Sequence, residues 1–94
     1  MPKPRLSRAA EEDLIRIYAD SARMFGLSRT ERYFDGFEQA LSFIGDNPLA
    51  ARERFEINPP VRVHLYLSHI IIYIFGGRQI DVLRVRHGSE DWQD

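Results

Sequence analysis

Apolar positions recur with two different periods along this chain, and the change of period separates a helical first half from a strand-rich second half. Between Leu14 and Phe25, apolar or small residues return every three or four positions, which predicts an amphipathic helix that ends at Gly26. A stripe of the same period runs from Tyr33 to Ile44 and stops at the turn residues 45–48. The first half therefore predicts two helices.

Serine residues mark both predicted helix starts. Ser7 can cap the first helix with its hydroxyl, and Ser28 with Glu31 fits a capping box for the second, in which loss of Ser28 would cost about 1 kcal/mol. Only Gly26 and Leu27 separate the first helix from that cap, so the helices must fold back as an antiparallel hairpin.

Three apolar runs between residues 61 and 87 predict an antiparallel meander. In the first run apolar residues alternate with polar ones, so we expect the apolar set to pack inward and the polar set to face solvent or a partner. The sets are Val61, Val63, Leu65 and Leu67 against Arg62, His64, Tyr66 and Ser68.

The second run, residues 70–75, has six consecutive apolar side chains, as expected of a central strand covered on both faces. A two-residue turn at Gly76–Gly77 would join it to the third run, where Ile80, Val82, Arg84 and Arg86 fall on one face.

Outside these elements the pattern is weaker. Residues 4–6 predict a short edge strand, and residues 49–60 predict a connecting loop with room for one helical turn. The prediction is a single α+β domain over residues 1–94, in which a short N-terminal strand and an antiparallel helical hairpin pack on a small antiparallel sheet in the order β-α-α-β-β-β.

The amino-acid composition excludes some kinds of functional site and makes others less probable. The chain has no cysteine, which excludes thiolate metal sites and disulfides, and we expect neither a metal nor a cofactor. Its net charge of −1 argues against binding nucleic acid through bulk positive charge, and we expect no direct sequence-specific binding to nucleic acid.

The N-terminus lacks the apolar core of a signal peptide, so we expect a soluble, cytoplasmic protein with no membrane association. Twelve of the 13 basic residues are arginine, which suits recognition better than proton transfer.

Three segments resemble the ParE branch of the ParE/RelE superfamily of toxins from type II toxin–antitoxin modules. They are LSRAAEEDLIRIY at 6–18, ERYFDGFEQALSFIGDNP at 31–48, and SHIIIYIF at 68–75 with IDVLRVRHGSEDW at 80–92. The resemblance implies a toxin that forms a hetero-oligomer with a cognate, ParD-like antitoxin and inhibits DNA gyrase. The related RelE branch implies ribosome-dependent mRNA cleavage instead, and one fold hosts both activities.

The two activities need different residues. RelE-like toxins use several basic residues with a C-terminal tyrosine or a His-Tyr pair, and this chain has no tyrosine after Tyr73. We therefore expect a binding inhibitor with no catalytic residues. If the protein were a nuclease, its candidate groups would be Glu56 or His64 as base, Arg62 and Arg84 as charge stabilisers, and His87 as acid.

Interaction surfaces are predicted from arginines and aromatics, the usual anchors of interfaces. Candidate target-binding residues are Arg62, Tyr66, Arg84, Arg86, His87 and Trp92. Candidate antitoxin-binding residues on the helices are Tyr18, Phe25, Tyr33, Phe34 and Phe37. Alternatives remain open: Arg84 and Arg86 can pair with Asp81 or Glu90, and Trp92 can cover the sheet edge. His64 and His69 are interpreted as ordinary exposed strand and turn residues. A module of this fold that only binds and has no toxic activity is a further alternative.

Overall fold

A computed structural model describes residues 3–88 and gives an α+β fold in which two helices cover one face of a five-stranded sheet. The elements are β1 (Arg5–Leu6), α1 (Arg8–Phe25), α2 (Leu27–Asp46), β2 (Glu53–Arg54), β3 (Val61–Tyr66), β4 (His69–Gly76) and β5 (Gln79–His87). The strand order is β1-β5-β4-β3-β2. The predicted fold class and element order are confirmed, with one additional strand.

The N-cap residue explains where each helix begins, but only the start of α1 was predicted correctly. Ser7 caps α1, since its hydroxyl accepts from the Ala10 N–H at 3.0 Å. The capping box at Ser28 was wrong, because α2 already begins at Leu27. Gly26, at φ 84°, ends α1 and caps α2 at once, so no linker residue remains.

The helices form the predicted hairpin, and hydroxyl groups join them. Thr30 is fully buried, and its hydroxyl lies 2.8 Å from that of Ser21 and donates to the Gly26 carbonyl at 2.9 Å. These bonds satisfy a polar group that would otherwise be costly in the interior.

β4 is the central strand, as predicted, and its side chains contribute to two apolar clusters on opposite faces of the sheet. The helix-facing cluster contains Ala10, Phe37, Ala40, Ile44, Ile71, Tyr73, Ile80, Val82 and Val85. The opposite cluster contains Val61, Ile70 and Ile72. A strand buried on both faces explains the unbroken apolar run.

The sheet edges differ from the prediction in two respects. The N-terminal strand does form, but β1 pairs in parallel with β5, so the sheet is mixed. The segment 49–60 contains β2, which pairs antiparallel with the start of β3 through two residues. This strand replaces the expected helical turn.

The turn between β4 and β5 lies one residue later than predicted. Gly76 pairs with Gln79 in the ladder, and the two turn residues are Gly77 and Arg78, with φ of 54° and 70°. Positive φ at both positions fits a type I′ turn, which the strand twist favours.

The polar residues of β3, and not its apolar residues as predicted, lie on the face that the helices cover. Arg62, His64 and Tyr66 pair in register with residues of β4 whose side chains include Tyr73 and Ile71 of the helix-facing cluster. The apolar alternation belongs to the other face, where Leu65 and Leu67 are 73% and 75% exposed. Alternation showed that the strand has two faces but not which one the helices cover.

A bulge in β5 changes which of its residues share a face of the sheet. Ile72 pairs with Arg84 and Tyr73 with Val82, so Leu83 is the extra residue. As a result Ile80 and Val82 face the helices, while Arg84 and Arg86 pair with Ile72 and Ile70 of the opposite cluster. The two arginines share a face with each other but not with the two aliphatic residues.

Candidate functional site

A groove of about 460 Å³ opens between the helical hairpin and the end of the sheet. We call it the hairpin groove. Its apolar lining includes Ile17, Met24, Phe25 and Val85, and its polar lining includes Arg16, Asp20, Arg29, Tyr33, His69 and His87. Met24 and Phe25 are 68% and 51% exposed, which leaves apolar surface accessible at its mouth.

A tyrosine and two histidines meet at the floor of the groove. The Tyr33 hydroxyl lies 2.6 Å from His69 Nδ1, and the rings of His69 and His87, which are cross-strand partners, have centroids 5.4 Å apart. Burial raises the pKa of Tyr33, so its hydroxyl stays protonated near neutral pH and can donate to His69. The interpretation of His69 as an exposed turn residue was wrong, since it lies half-buried in β4.

The rim of the groove carries two arginines with different surroundings. The Arg29 guanidinium lies 4.7 Å from the centroid of the Phe25 ring, a cation–π contact across the hairpin. Arg16 donates to Asp13 at 3.1 Å. Together with one carboxylate, Asp20, these groups give the groove both apolar and cationic character.

Arg84 belongs to a charge network centred on the buried carboxylate of Asp13. Its guanidinium donates twice to Asp13, at 2.8 and 3.0 Å, and the Val85 N–H donates to the same carboxylate at 3.0 Å. Burial by itself raises the pKa of Asp13, but these hydrogen bonds and the one from Arg16 outweigh it and hold the pKa below 3.8. Asp13 is thus a carboxylate partner of Arg84, whereas Asp81 pairs with Arg5. The alternative partner Glu90 lies outside the described residues.

Four of the five aromatics predicted to bind an antitoxin, Tyr18, Tyr33, Phe34 and Phe37, contact one another through Phe34, and Phe25 instead contacts Arg29. Tyr18 and Phe34 meet edge to face at 5.1 Å, and Phe34 stacks on Phe37 at 6.0 Å. Phe37 is only 3% exposed and belongs to the core. Phe25, which is exposed, and Tyr33, which is half-buried, are the members that line the hairpin groove.

The residues predicted to bind the target are dispersed. Tyr66 packs under α2, where its hydroxyl donates to the Tyr33 carbonyl at 2.6 Å. Arg62 donates to the Ala51 carbonyl. Trp92 lies outside the described residues. Among the described members of the predicted set, only His87 lines the groove.

The alternative nuclease residues are not brought together. His64 is half-buried in β3 rather than exposed as predicted; it contacts the Phe43 ring at 5.6 Å, and burial lowers its pKa. Glu56 pairs with Arg52 at 3.5 Å. The partners of Arg62 and His87 on β4, Tyr73 and His69, are four residues apart, or about 13 Å along the strand.

Sequence comparison adds the family. The model of the ParE toxin of type II toxin–antitoxin systems, parDE, matches residues 5–92. The chain belongs to the ParE toxin family. No curated protein sequence matches it significantly.

A solved structure described as the chromosomal ParDE TA system from P. aeruginosa shares the ParE fold of this chain. The TM-score is 0.68 at 18% identity, and the alignment covers 93% of this chain and 96% of the other. Identity this low shows the fold alone. Over residues 3–88, no helix has the length and apolar character needed to cross a bilayer.

Proposed function

We propose that this ParE-family protein is the toxin of a type II pair that inhibits DNA gyrase, holding the enzyme on cleaved DNA so that replication stops. The observation that carries the proposal is the family match over residues 5–92. The dispersal of the alternative nuclease residues supports inhibition by binding. In this proposal the protein acts in the cytoplasm and uses no cofactor. The fold by itself does not choose the target.

The cognate antitoxin in this proposal is ParD-like, and its C-terminal arm covers the hairpin groove. Ile17, Met24 and Phe25 would accept the apolar face of an amphipathic segment, while Arg16 and Arg29 would pair with its acidic residues. A neutralised hetero-oligomer would bury Met24 and Phe25, which are 68% and 51% exposed in the groove.

A gyrase cleavage assay tests the proposed target. Supercoiled plasmid, gyrase, ATP and the purified protein should yield linear DNA after detergent and protease treatment, whereas translating ribosomes should keep their mRNA intact. Arg86→Ala is expected to weaken gyrase trapping, and Arg52→Ala, on an exposed loop, serves as the matched control. Intact plasmid at saturating toxin would refute the gyrase target.

The cluster of Tyr33, His69 and His87 favours a second candidate function, which is ribosome-dependent mRNA cleavage. A hydroxyl 2.6 Å from one imidazole, with a second imidazole beside it, provides groups that can accept and donate protons. This candidate requires cleaved transcripts in the ribosome assay and their loss in His69→Gln. Such a result would replace the binding mechanism with a catalytic one.

A further inference from the structure

Two histidines face each other across neighbouring strands at the floor of the hairpin groove. His69 of β4 pairs in register with His87 of β5. The Gly88 N–H donates to the Ser68 carbonyl at 2.8 Å, so the ladder hydrogen bonds fall there and the adjacent His69–His87 pair is non-hydrogen-bonded. Side chains come closest at such positions, where the Cα atoms are about 4.5 Å apart. The register therefore holds the two imidazoles side by side on the face that the helices cover.

The separation of the two rings fits a shared metal ion. Their centroids lie 5.4 Å apart, and the ring planes are inclined at 75°. Two imidazoles that bind one tetrahedral ion through Zn–N bonds of about 2.0–2.1 Å have ring centroids roughly 5 Å apart. Rotation of the side chains alone would thus bring one nitrogen of each ring to the same ion.

Tyr33 determines which nitrogen of His69 would bind. Its hydroxyl lies 2.6 Å from His69 Nδ1, so an ion would bind at Nε2. A histidine that binds a metal usually donates its other ring N–H to a nearby acceptor, which fixes the tautomer. The Tyr33 oxygen can accept that N–H, because its own proton can turn to the Tyr66 carbonyl, 3.5 Å away. Tyr33 would therefore act as a positioning residue.

The groove leaves room for the ion and its water molecules. Its volume is about 460 Å³, and His87 is exposed at the end of β5. An ion with two or three waters needs roughly 100 Å³. Arg16 donates to Asp13, but Arg29 also lines the groove and its charge opposes a cation, so we expect a moderate affinity.

From these observations we propose that His69 and His87 bind a divalent transition-metal ion such as Zn²⁺, with water completing the coordination. Among residues 3–88 no group of three or more metal-binding side chains is present, so the two imidazoles would be the protein ligands. The expectation of no metal rested on the missing cysteines, whereas the register of β4 and β5 is what brings these imidazoles together. The proposal depends neither on the gyrase target nor on the antitoxin.

Calorimetric titration of the tag-free, full-length protein with ZnCl₂ tests the proposal. One ion should bind per chain, and at least about tenfold more tightly than Mg²⁺, because imidazole favours transition metals over hard cations. In NMR spectra, Ni²⁺ should broaden the imidazole signals of His69 and His87 more strongly than those of His64.

Glutamine variants locate the site on the protein. His69→Gln and His87→Gln should each weaken Zn²⁺ binding about tenfold or more, since each removes one of two protein ligands. His64→Gln is the matched control, because its ring packs against Phe43 and not against the pair. This control should leave Zn²⁺ affinity unchanged.

Tyr33→Phe tests the positioning role. It keeps the ring and removes the hydroxyl beside His69 Nδ1, so Zn²⁺ affinity should fall about tenfold while one ion still binds per chain. A purely structural role for Tyr33 would lower the unfolding midpoint of the metal-free protein without changing its Zn²⁺ affinity.

Three results would each overturn the proposal. They are equal Zn²⁺ affinity of wild type and His87→Gln, one ion shared by two chains of a dimer in sedimentation, and equal binding of Zn²⁺ and Mg²⁺. The exposed position of His87 favours folding of His87→Gln. The comparison of the two metals on wild type keeps the test decisive if His69→Gln does not fold.

Discussion

One buried carboxylate joins the first helix to the last strand. Asp13 is 1% exposed and accepts hydrogen bonds from Arg84, Arg16 and the Val85 N–H. Asp13→Asn should lower the free energy of unfolding by about 3 kcal/mol in urea titrations, because the arginines lose their charged partner. Asp20→Asn, which breaks a surface pair with Arg23, should cost less than about 1 kcal/mol. Equal effects would contradict the buried network.

The same carboxylate predicts an acid dependence of stability. The hydrogen bonds lower the folded-state pKa of Asp13 below its ordinary 3.8 despite burial, so its contribution is present above about pH 4 and is lost as pH falls through the folded-state value. Unfolding free energies measured between pH 2 and 7 should therefore fall more steeply below pH 4 in wild type than in Asp13→Asn. Parallel curves would exclude this role.

Gly36 makes room for a tyrosine. A Cβ at this position would clash with the Tyr66 hydroxyl, which donates to the Tyr33 carbonyl at 2.6 Å. Gly36→Ala should destabilise the protein by about 1–3 kcal/mol, although alanine favours helix by about 1 kcal/mol. Gly76→Ala, where a Cβ meets nothing within 4 Å, is the matched control.

A double variant separates this clash from other effects. Tyr66→Phe removes the hydroxyl that the new methyl group would meet, so adding Gly36→Ala to Tyr66→Phe should cost less than adding it to wild type. Thermal unfolding of the four proteins measures the coupling. Strictly additive costs would show that Tyr66 is not the reason for the glycine.

At the scale of elements, the two helix starts respond differently to loss of a serine hydroxyl. Ser7 caps α1 and donates to the Leu83 carbonyl at 2.8 Å, so Ser7→Ala should cost about 1–2 kcal/mol. Ser28 lies inside α2, where its hydroxyl accepts from Arg32, so Ser28→Ala should cost less than about 0.5 kcal/mol. Denaturant midpoints of the two variants decide between this ranking and the capping box predicted from sequence.

At the scale of the whole molecule, exposed apolar side chains predict where neutralisation occurs. Phe25→Glu places a negative charge in the hairpin groove and should weaken binding of the co-expressed antitoxin at least about tenfold, since a buried unpaired charge is costly. Leu49→Glu alters a leucine that is 66% exposed and lies outside the groove, and should leave binding unchanged. Affinity capture with purified antitoxin measures both. Equal loss in the two variants would place the antitoxin elsewhere.

The sequence by itself determined the elements, because the period of the apolar positions and the local turn chemistry act over a few residues. The two helices, the central strand with its six apolar residues, and the family resemblance could all be predicted in this way. The N-cap at Ser7 followed from the same local reasoning.

Only the tertiary structure decided which residues share a site, because long-range register brings them together. The bulge at Leu83 changed the face of β5, and the helices covered the side of β3 that carries Arg62 and Tyr66. Tyr33 and His69 are 36 residues apart in sequence, yet their side chains meet at 2.6 Å. No local pattern encodes that distance, which depends on how the hairpin packs on the sheet.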